Sequence, residues 1–211
     1  MKKRIAREQM GRSVFCLQPS RPVLCTTRNA DGTDHVAPFG WCIPASQDPP
    51  MLVLAIQNAP RKSHSLENIQ RSGEFVVNLP DMKLIDPLVL SSYDTRLGEN
   101  KMDRSGFTRL PSCEVAPCGI AECRAHLECR VREITCPGDH AVIAAEIVCA
   151  RYDEDAFYGD MLINTRTFQP VIHIQNFTAK DKSAQYHVFL NGSGVVVNEV
   201  SFPEGDRSHD H

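Results

Sequence analysis

The 211-residue sequence has no long apolar run, no strong excess of charge of either sign, and a single tryptophan. Its longest apolar runs, such as residues 51–56, are far shorter than the roughly 20 residues that span a bilayer, so we expect no membrane segment. A formal net charge of −3 gives no general attraction for polyanions, which argues against nucleic acid as a partner. Any site for a phosphate group must therefore be local.

The nine cysteines lack the pattern of a disulfide framework. Their number is odd, and no two of them form a Cys-x-x-Cys pair. The basic start, residues 1–4, is followed by Arg7 and Glu8 rather than by the apolar run of an export signal. Together these observations predict a cytoplasmic protein with free thiols.

A metal centre is not expected either. Five cysteines follow one another at spacings of five, five, six and seven, without the paired short spacing of zinc ribbons or iron–sulfur clusters. They are Cys113, Cys118, Cys123, Cys129 and Cys136. We interpret them as small apolar side chains. A hydrolase is also unsupported, because no Gly-x-Ser-x-Gly elbow occurs.

What the sequence does contain is a series of short, strand-like segments bounded by Gly, Pro, Asn and Asp. The predicted strands are 21–28, 34–42, 51–57, 74–79, 121–132 and 140–151. Residues 121–132 alternate strictly between apolar and polar side chains, so one face should be buried and the other wet or paired. This pattern predicts a mainly β fold with short helices, an antiparallel barrel or sandwich.

The remaining segments are predicted to be short helices, turns and flanking tails. We expect a helix over 63–72 that Gly73 ends, and a helix over 83–93 with a break near Pro87. Turn or loop structure is expected at 46–50 and over 94–106. One domain should span 14–190, with an N-terminal extension over 1–13 and a mobile tail over 191–211.

Residues 61–65, Arg-Lys-Ser-His-Ser, open the first predicted helix. Two cations, two hydroxyls and the unpaired amides of a helix start all favour a dianionic group at one place. Taken alone, however, the segment favours an ordinary capped helix with a solvated basic end. The neighbouring strands shift that balance. Pro38 cannot donate to a strand ladder and predicts a strand edge or a bulge, which leaves backbone groups free for a ligand.

Several short motifs occur in order over about residues 14–153. They are Arg21-Pro22-Val23, Thr26-Thr27-Arg28, Asp31-Gly32, Val36-Ala37-Pro38-Phe39, Asp48-Pro49-Pro50, Asn68-Ile69, Ser72-Gly73-Glu74-Phe75-Val76-Val77-Asn78-Leu79, Ala125-His126-Leu127-Glu128-Cys129 and Gly138-Asp139-His140. In this order they resemble the flavin reductase-like, FMN-binding split-barrel family. The resemblance implies a six-stranded antiparallel split barrel, a homodimer, FMN bound near the subunit interface, and NADH or NADPH as electron donor.

The resemblance also implies roles for individual residues. The residues expected to face the isoalloxazine ring, partly through backbone amides, are Phe39, Gly40, Trp41 and Cys42. The residue expected to hold the ring or ribityl chain is Ser46. The residues expected around the phosphate are Gln57, Arg61, Lys62, Ser63 and His64. Gly40 departs from the family pattern, in which serine is common, so a side-chain hydrogen bond is lost while closer backbone approach becomes possible.

Three further residues have competing interpretations. The resemblance places His140 near the nicotinamide or flavin, where it would position a reactant, since hydride transfer depends mainly on alignment. A solvated turn histidine is the alternative. Lys101 lies in a predicted loop that in relatives can close over the cofactor, or it is simply a solvated lysine. Trp41 could stack on the flavin, pack at a dimer interface or be a core aromatic residue.

The sequence thus predicts an FMN-dependent oxidoreductase, with an NAD(P)H:flavin reductase as the first hypothesis. Reduced flavin would pass electrons to oxygen, ferric iron or a partner monooxygenase. A non-catalytic FMN carrier or electron-transfer protein of the same fold is the alternative, and a barrel without cofactor is the third.

Overall fold

The computed structural model describes residues 1–94, 99–180, 184–191 and 194–201. They divide into two compact units. The larger unit spans residues 21–171, and the smaller combines residues 1–20 with the segment from residue 172 onward. No helix among the described residues is long and apolar enough to span a membrane.

Strands make up most of the regular structure, and helices are short. The strands are β1 Val23–Arg28, β2 Asp34–Phe39, β3 Cys42–Gln47, β4 Pro50–Gln57, β5 Glu74–Leu79, β6 Arg109–Leu110, β7 Gly119–Ile120, β8 Ala125–Thr135, β9 His140–Tyr152, β10 Ile172–Thr178, β11 Ala184–Asn191 and β12 Gly194–Ser201. The α-helices are α1 His64–Ser72, α2 Ile85–Ser92 and α3 Lys101–Arg104. Short 3-10 segments cover Arg7–Leu17, Met82–Leu84 and Glu154–Ala156. The predicted mainly β class is confirmed.

The larger unit is built on one antiparallel sheet in the order β2-β1-β5-β8-β9-β4-β3. Its two edge strands, β2 and β3, stand at opposite ends of this order, yet only Gly40 and Trp41 link them along the chain. So short a link spans roughly 10 Å, which brings the two sheet edges together at this corner. The sheet therefore curls into a barrel, and the described ladders pair β2 only with β1 and β3 only with β4. This is a split barrel.

The barrel interior is filled by apolar side chains from every strand that crosses it. The fully buried members include Leu54, Ile56, Phe75 and Ile143. Leu66 and Ile69, three residues apart on α1, are also fully buried in this cluster. Burial of these two side chains fixes α1 against the barrel and contributes about 2–3 kcal/mol each.

The second sheet edge is where the sequence prediction needs correction. Residues 42–47 form β3, so the sheet has seven strands rather than six, and the turn predicted over 46–50 shrinks to Asp48 and Pro49. β3 pairs with one neighbour only and exposes most of its side chains, including Ile43 at 62 %. A strand so little buried carries too few apolar residues for its pattern to show.

The strand predicted over 121–132 begins only at Ala125, because residues 121–124 form a turn. The first part of its polar face is paired, since His126 is 4 % exposed and Glu128 is fully buried, whereas Arg130 and Arg132 are exposed. Backbone amides of the segment between β6 and β7 cover Glu128. The alternation thus identified the strand. The covering of Glu128, however, depends on the segment between β6 and β7, which the alternation does not reveal.

Two helical predictions also change. The break lies at Leu84, where a 3-10 turn meets α2, and Pro87 fits the first turn of α2 because its nitrogen needs no acceptor there. Within the predicted loop 94–106, Lys101–Arg104 form α3, capped by the Asn100 side chain, which accepts from Met102 N at 2.8 Å. Residues 95–98 of that loop lie outside the described residues.

The smaller unit contains the antiparallel sheet β10-β11-β12 and the 3-10 segment Arg7–Leu17. Ser20 pairs with His173 of β10 through two backbone hydrogen bonds of 2.9 Å. The predicted tail over 191–211 includes β12, so part of it is a strand. Residues 202–211 lie outside the described residues.

Candidate functional site

The corner between β2 and β3 exposes an aromatic residue beside a histidine. Trp41 is 41 % exposed, and its ring centroid lies 4.7 Å from that of His140 at an interplanar angle of 31°. Its backbone oxygen accepts from Ala55 N at 2.9 Å, which holds the corner against β4. Phe39 and Cys42, on either side, pack against the core instead. Among these predicted residues, Trp41 has the side chain most available to a ligand.

His140 begins β9 and is oriented by its neighbour in the chain. Its Nδ1 lies 2.8 Å from Asp139 Oδ1, and this contact lowers the pKa of Asp139. Across the ladder, His140 pairs with Gln57, the last residue of β4. The ring of Trp41, the imidazole of His140 and Gln57 thus lie next to one another along one end of the β4–β9 pair.

The basic segment begins directly after this end. The amides of Asn58 and Ala59 donate to Asp139 O at 2.7 and 3.0 Å, and Ser63 N donates to Gln57 O at 3.1 Å. These bonds attach the loop before α1 to the β8–β9 turn. They place residues 61–65 next to Gln57 and His140.

The start of α1 has polar groups that the protein itself does not use. Ser63 is the N-cap residue, with extended backbone angles, but its side chain makes no capping hydrogen bond. Ser65 is fully buried, and its Oγ has no hydrogen-bond partner among the described residues. Buried hydroxyls are normally paired, so an unpaired one beside uncapped helix amides indicates a missing acceptor. The other end of α1 follows the prediction, with Gly73 in the left-handed conformation at φ 71°.

α1 is fixed to β1 by a polar contact that includes His64. Asn68 Nδ2 donates to Thr27 Oγ1 at 3.1 Å and to Asn29 Oδ1 at 2.8 Å. His64 Nε2 lies 2.8 Å from the same Asn29 oxygen. The helix start, with Ser65 and His64, is therefore held rigidly.

Basic side chains from separate elements lie near this helix start. The His35 ring on β2 lies 4.6 Å from the His64 ring, and burial lowers the pKa of His35 to about 3, with Lys101 and His64 adding to the effect. Burial also lowers the pKa of Lys101; Asp94 opposes this, and the charges of Arg104 and Arg61 add to it. Lys101 is thus a half-buried cation whose burial outweighs the effect of the nearby Asp94 carboxylate, and a bound anion would favour its charged form.

Some of the predicted residues are exposed, have another partner in the structure, or lie elsewhere. Arg61 is 79 % exposed at its side chain and pairs with Asp94 at 3.3 Å. Lys62 Nζ instead lies 3.1 Å from Gln70 Oε1 on the flank of α1. Ser46 pairs with Met51, about 20 Å along β4 from Gln57, so the structure does not bring it to the helix start.

Three residues to which the sequence assigned no individual role stand out in the structure. Ser65 belongs to the predicted segment, and its regular place two residues after Ser63 was the available signal. Asp139 precedes His140 in the chain, so its role could have been inferred from adjacency. His35 reaches the site only through the pairing of β2 with β1, and no local pattern shows it.

The fold and this site define a split barrel with a basic, uncapped helix start beside an open aromatic corner. Residues 17–171 match the family model described as flavin reductase like domain. The chain belongs to this family.

Individual relatives agree with that assignment. The chain is 33 % identical to an uncharacterized protein of Archaeoglobus fulgidus over 68 % of this chain and 80 % of that protein. It is 26 % identical to a flavin reductase (NADPH) of Lentzea aerocolonigenes over 70 % and 84 % of the two chains. The fold resembles nitrilotriacetate monooxygenase component B from Bacillus cereus, with a TM-score of 0.73 and 15 % identity over 96 % and 98 % of the two chains.

Proposed function

We propose that this protein binds FMN and acts as an NAD(P)H-dependent flavin reductase. The observation that carries the proposal is the buried hydroxyl of Ser65, which has no partner among the described residues and lies at the uncapped start of α1. A phosphate dianion supplies acceptors for this hydroxyl and for the helix amides, and a negative charge for the basic side chains nearby. We call the residues Arg61, Ser63, His64, Ser65 and Lys101 the anion seat.

The residues of the anion seat fit a flavin phosphate better than a lone ion. A strip of surface leads from the anion seat past Gln57 and His140 to the exposed aromatic ring of Trp41. Such a strip suits a ligand with a phosphate at one end and a planar ring at the other. Lys62 would contribute its charge after leaving Gln70, and Ser46 has no part in this proposal.

Each residue at the ring end would bind or orient rather than react. Gly40 has no Cβ, so its backbone can approach the ring edge closely, together with the amides between Phe39 and Cys42. With Nδ1 donating to Asp139, His140 keeps Nε2 for a hydrogen bond to the flavin or nicotinamide. FMN, when bound, supplies the capacity to accept a hydride from NADH or NADPH, and the protein supplies alignment.

Homodimerisation and electron delivery to a partner belong to the same proposal. Ile43 and Trp41 form an exposed apolar edge at β3, which suits burial against a second copy of the chain. The resemblance to a monooxygenase component favours a monooxygenase as one acceptor of reduced flavin, with dioxygen or ferric iron as others. Light scattering should give twice the chain mass, and a monomeric mass at micromolar concentration contradicts the dimer.

The direct test of activity follows nicotinamide absorbance after purified protein is mixed with FMN and either NADH or NADPH. We expect oxidation with at least one nucleotide, at a rate proportional to the protein concentration. A protein that binds FMN but oxidises neither nucleotide is an FMN carrier, and the reductase proposal then fails. A protein that binds no flavin contradicts both.

A further inference from the structure

A second chemical site lies away from the anion seat, where the segment between β6 and β7 crosses the β8–β9 hairpin. Glu128, fully buried on β8, accepts from Cys113 N at 2.9 and 3.0 Å and from Glu114 N at 2.6 Å. Arg151 Nη2 lies 3.5 Å from the same carboxylate and donates to Pro111 O at 2.8 Å. These bonds clamp the segment, and with it Cys113, to the hairpin.

The other sulfur comes from β9. A register irregularity between Glu128 and Cys129 lets Cys149 pair with Glu128, whereas Ile147 pairs with Cys129. Cross-strand partners point to the same face, so Cys149 lies beside the Glu128 carboxylate. As a result, Cys113 Sγ, Cys149 Sγ and a Glu128 oxygen all lie within 4.8 Å of one another.

Two thiols and a carboxylate could suggest a zinc site, but the carboxylate argues against it. Its oxygens already accept three backbone contacts and face the Arg151 guanidinium. A dication would have to displace these bonds and lie close to a fixed positive charge. The two sulfurs remain available to react with each other, since all nine cysteines are free thiols.

We propose that Cys113 and Cys149 are a redox-active thiol pair that closes to an intramolecular disulfide under peroxide. The sulfurs need to approach by less than about 3 Å to reach bonding distance. The proposal does not depend on flavin binding, although reduced flavin that meets dioxygen would be one source of the peroxide.

The two cysteines have different surroundings, which assigns their order of reaction. Cys113 is exposed and Cys149 is half-buried. Burial, the charge of Glu128 and the contact with Cys113 raise the pKa of the Cys149 thiol. The Cys113 thiolate therefore attacks the peroxide, the O–O bond breaks, one water leaves and a sulfenic acid forms. Cys149 then loses its proton and attacks that sulfur, and a second water leaves. The two thiols have then been oxidised by two electrons to one disulfide, and the peroxide has been reduced to water.

The test uses the full chain, treated with one equivalent of hydrogen peroxide and then alkylated. Cleavage after glutamate releases residues 100–114 and 147–154, which hold Cys113 and Cys149 as their only cysteines. We expect these two peptides to be joined, with two of the nine thiols lost and restored by dithiothreitol. The oxidised chain should unfold roughly 5–10 °C higher, because the bond closes a long loop of the unfolded chain.

Matched variants separate the pair from general oxidation. Cys113→Ser and Cys149→Ser should each remove the joined peptides and the rise in melting temperature. Cys136→Ser, which removes another exposed thiol, should keep both. Joined peptides at other cysteines, or sulfinic acid at Cys113 without a cross-link, overturns the proposal. Tight zinc binding that Cys113→Ser abolishes would also overturn it in favour of a metal site.

Discussion

Two polar clusters of the barrel, each with a buried histidine in it or beside it, differ in how completely their groups are paired. Around Asn78, the side-chain amide donates to Leu24 O at 2.9 Å, and its oxygen accepts from Ile120 N and faces His126 Nδ1, both at 2.9 Å. Thr26 completes this cluster by donating to Cys118 O. Every polar side chain in it has a partner, and all of them are buried.

The anion seat has the opposite character. Ser65 Oγ is buried without a partner among the described residues, Ser63 does not cap the helix, and burial lowers the pKa of Lys101 although Asp94 opposes it. Both clusters lower the pKa of a buried histidine, His35 to about 3 and His126 to about 4, mainly through burial. A lowered pKa therefore does not distinguish a binding site from a structural cluster here; unpaired groups and assembled charge do.

The largest expected effect is on the paired cluster. Asn78→Leu should leave Ile120 N, Leu24 O and His126 without their partner and lower the free energy of unfolding by about 3 kcal/mol. Urea denaturation measures this loss. The FMN dissociation constant of the folded fraction should stay within a factor of about three, and a large change in it would mean that the two clusters are not separate.

Loss of charge at the seat comes next. Arg61→Ala/Lys62→Ala should weaken FMN binding about 50–100-fold, since two charge-assisted contacts contribute about 1–1.5 kcal/mol each. Riboflavin, which has no phosphate, should bind about as before. Lys2→Ala/Lys3→Ala makes the same change in net charge in the other unit and is the control. Equal weakening of both flavins would show that these side chains do not contact the phosphate.

The lowered pKa of His35 should make the stability of the protein depend on pH. The folded pKa of this histidine lies below its ordinary value of 6.5, so its contribution is complete above that value and declines as pH falls toward 3. Between pH 7 and 5 this costs about 2 kcal/mol, which His35→Phe should remove. Thermal unfolding at the two pH values checks it. A variant with the full acid sensitivity of the wild type would show that His35 is not the group responsible.

Ser65 gives the smallest but most specific effect. Ser65→Ala should weaken FMN binding about 5–10-fold through one lost hydrogen bond, while the free energy of unfolding stays equal or rises slightly, because no internal bond is lost. Flavin fluorescence titration and urea denaturation measure both. Ser91→Ala, which removes a buried hydroxyl that donates to Leu88 O, should instead lower stability and leave FMN binding unchanged.

The sequence was sufficient for the elements whose pattern is local. β5 and the helix stop at Gly73 follow the prediction, because apolar content and a glycine in the left-handed region act within a few residues. β3 was missed because an exposed edge strand buries little. The sequence left open whether the polar face of β8 is wet or paired, because the segment that covers Glu128 comes from elsewhere in the chain.

For the candidate site, the sequence identified the segment but not its surroundings. Residues 61–65 became a candidate anion site only together with the neighbouring strands, because taken alone they favour an ordinary capped helix. The approach of His35 and Lys101 depends on the curling of the sheet and on α3, which no spacing in the sequence encodes. The pairing of Cys149 with Glu128 depends on a register irregularity, which likewise has no local signal.

The central claim is that the anion seat holds the phosphate of a flavin. Equilibrium titration of the wild-type protein with FMN and with riboflavin, followed by quenching of flavin fluorescence, tests it directly. We predict that FMN binds roughly 250–1,000-fold more tightly than riboflavin, which is about 3–4 kcal/mol and the sum of the effects predicted for the two cations and for Ser65. Equal affinities for the two flavins would contradict the claim.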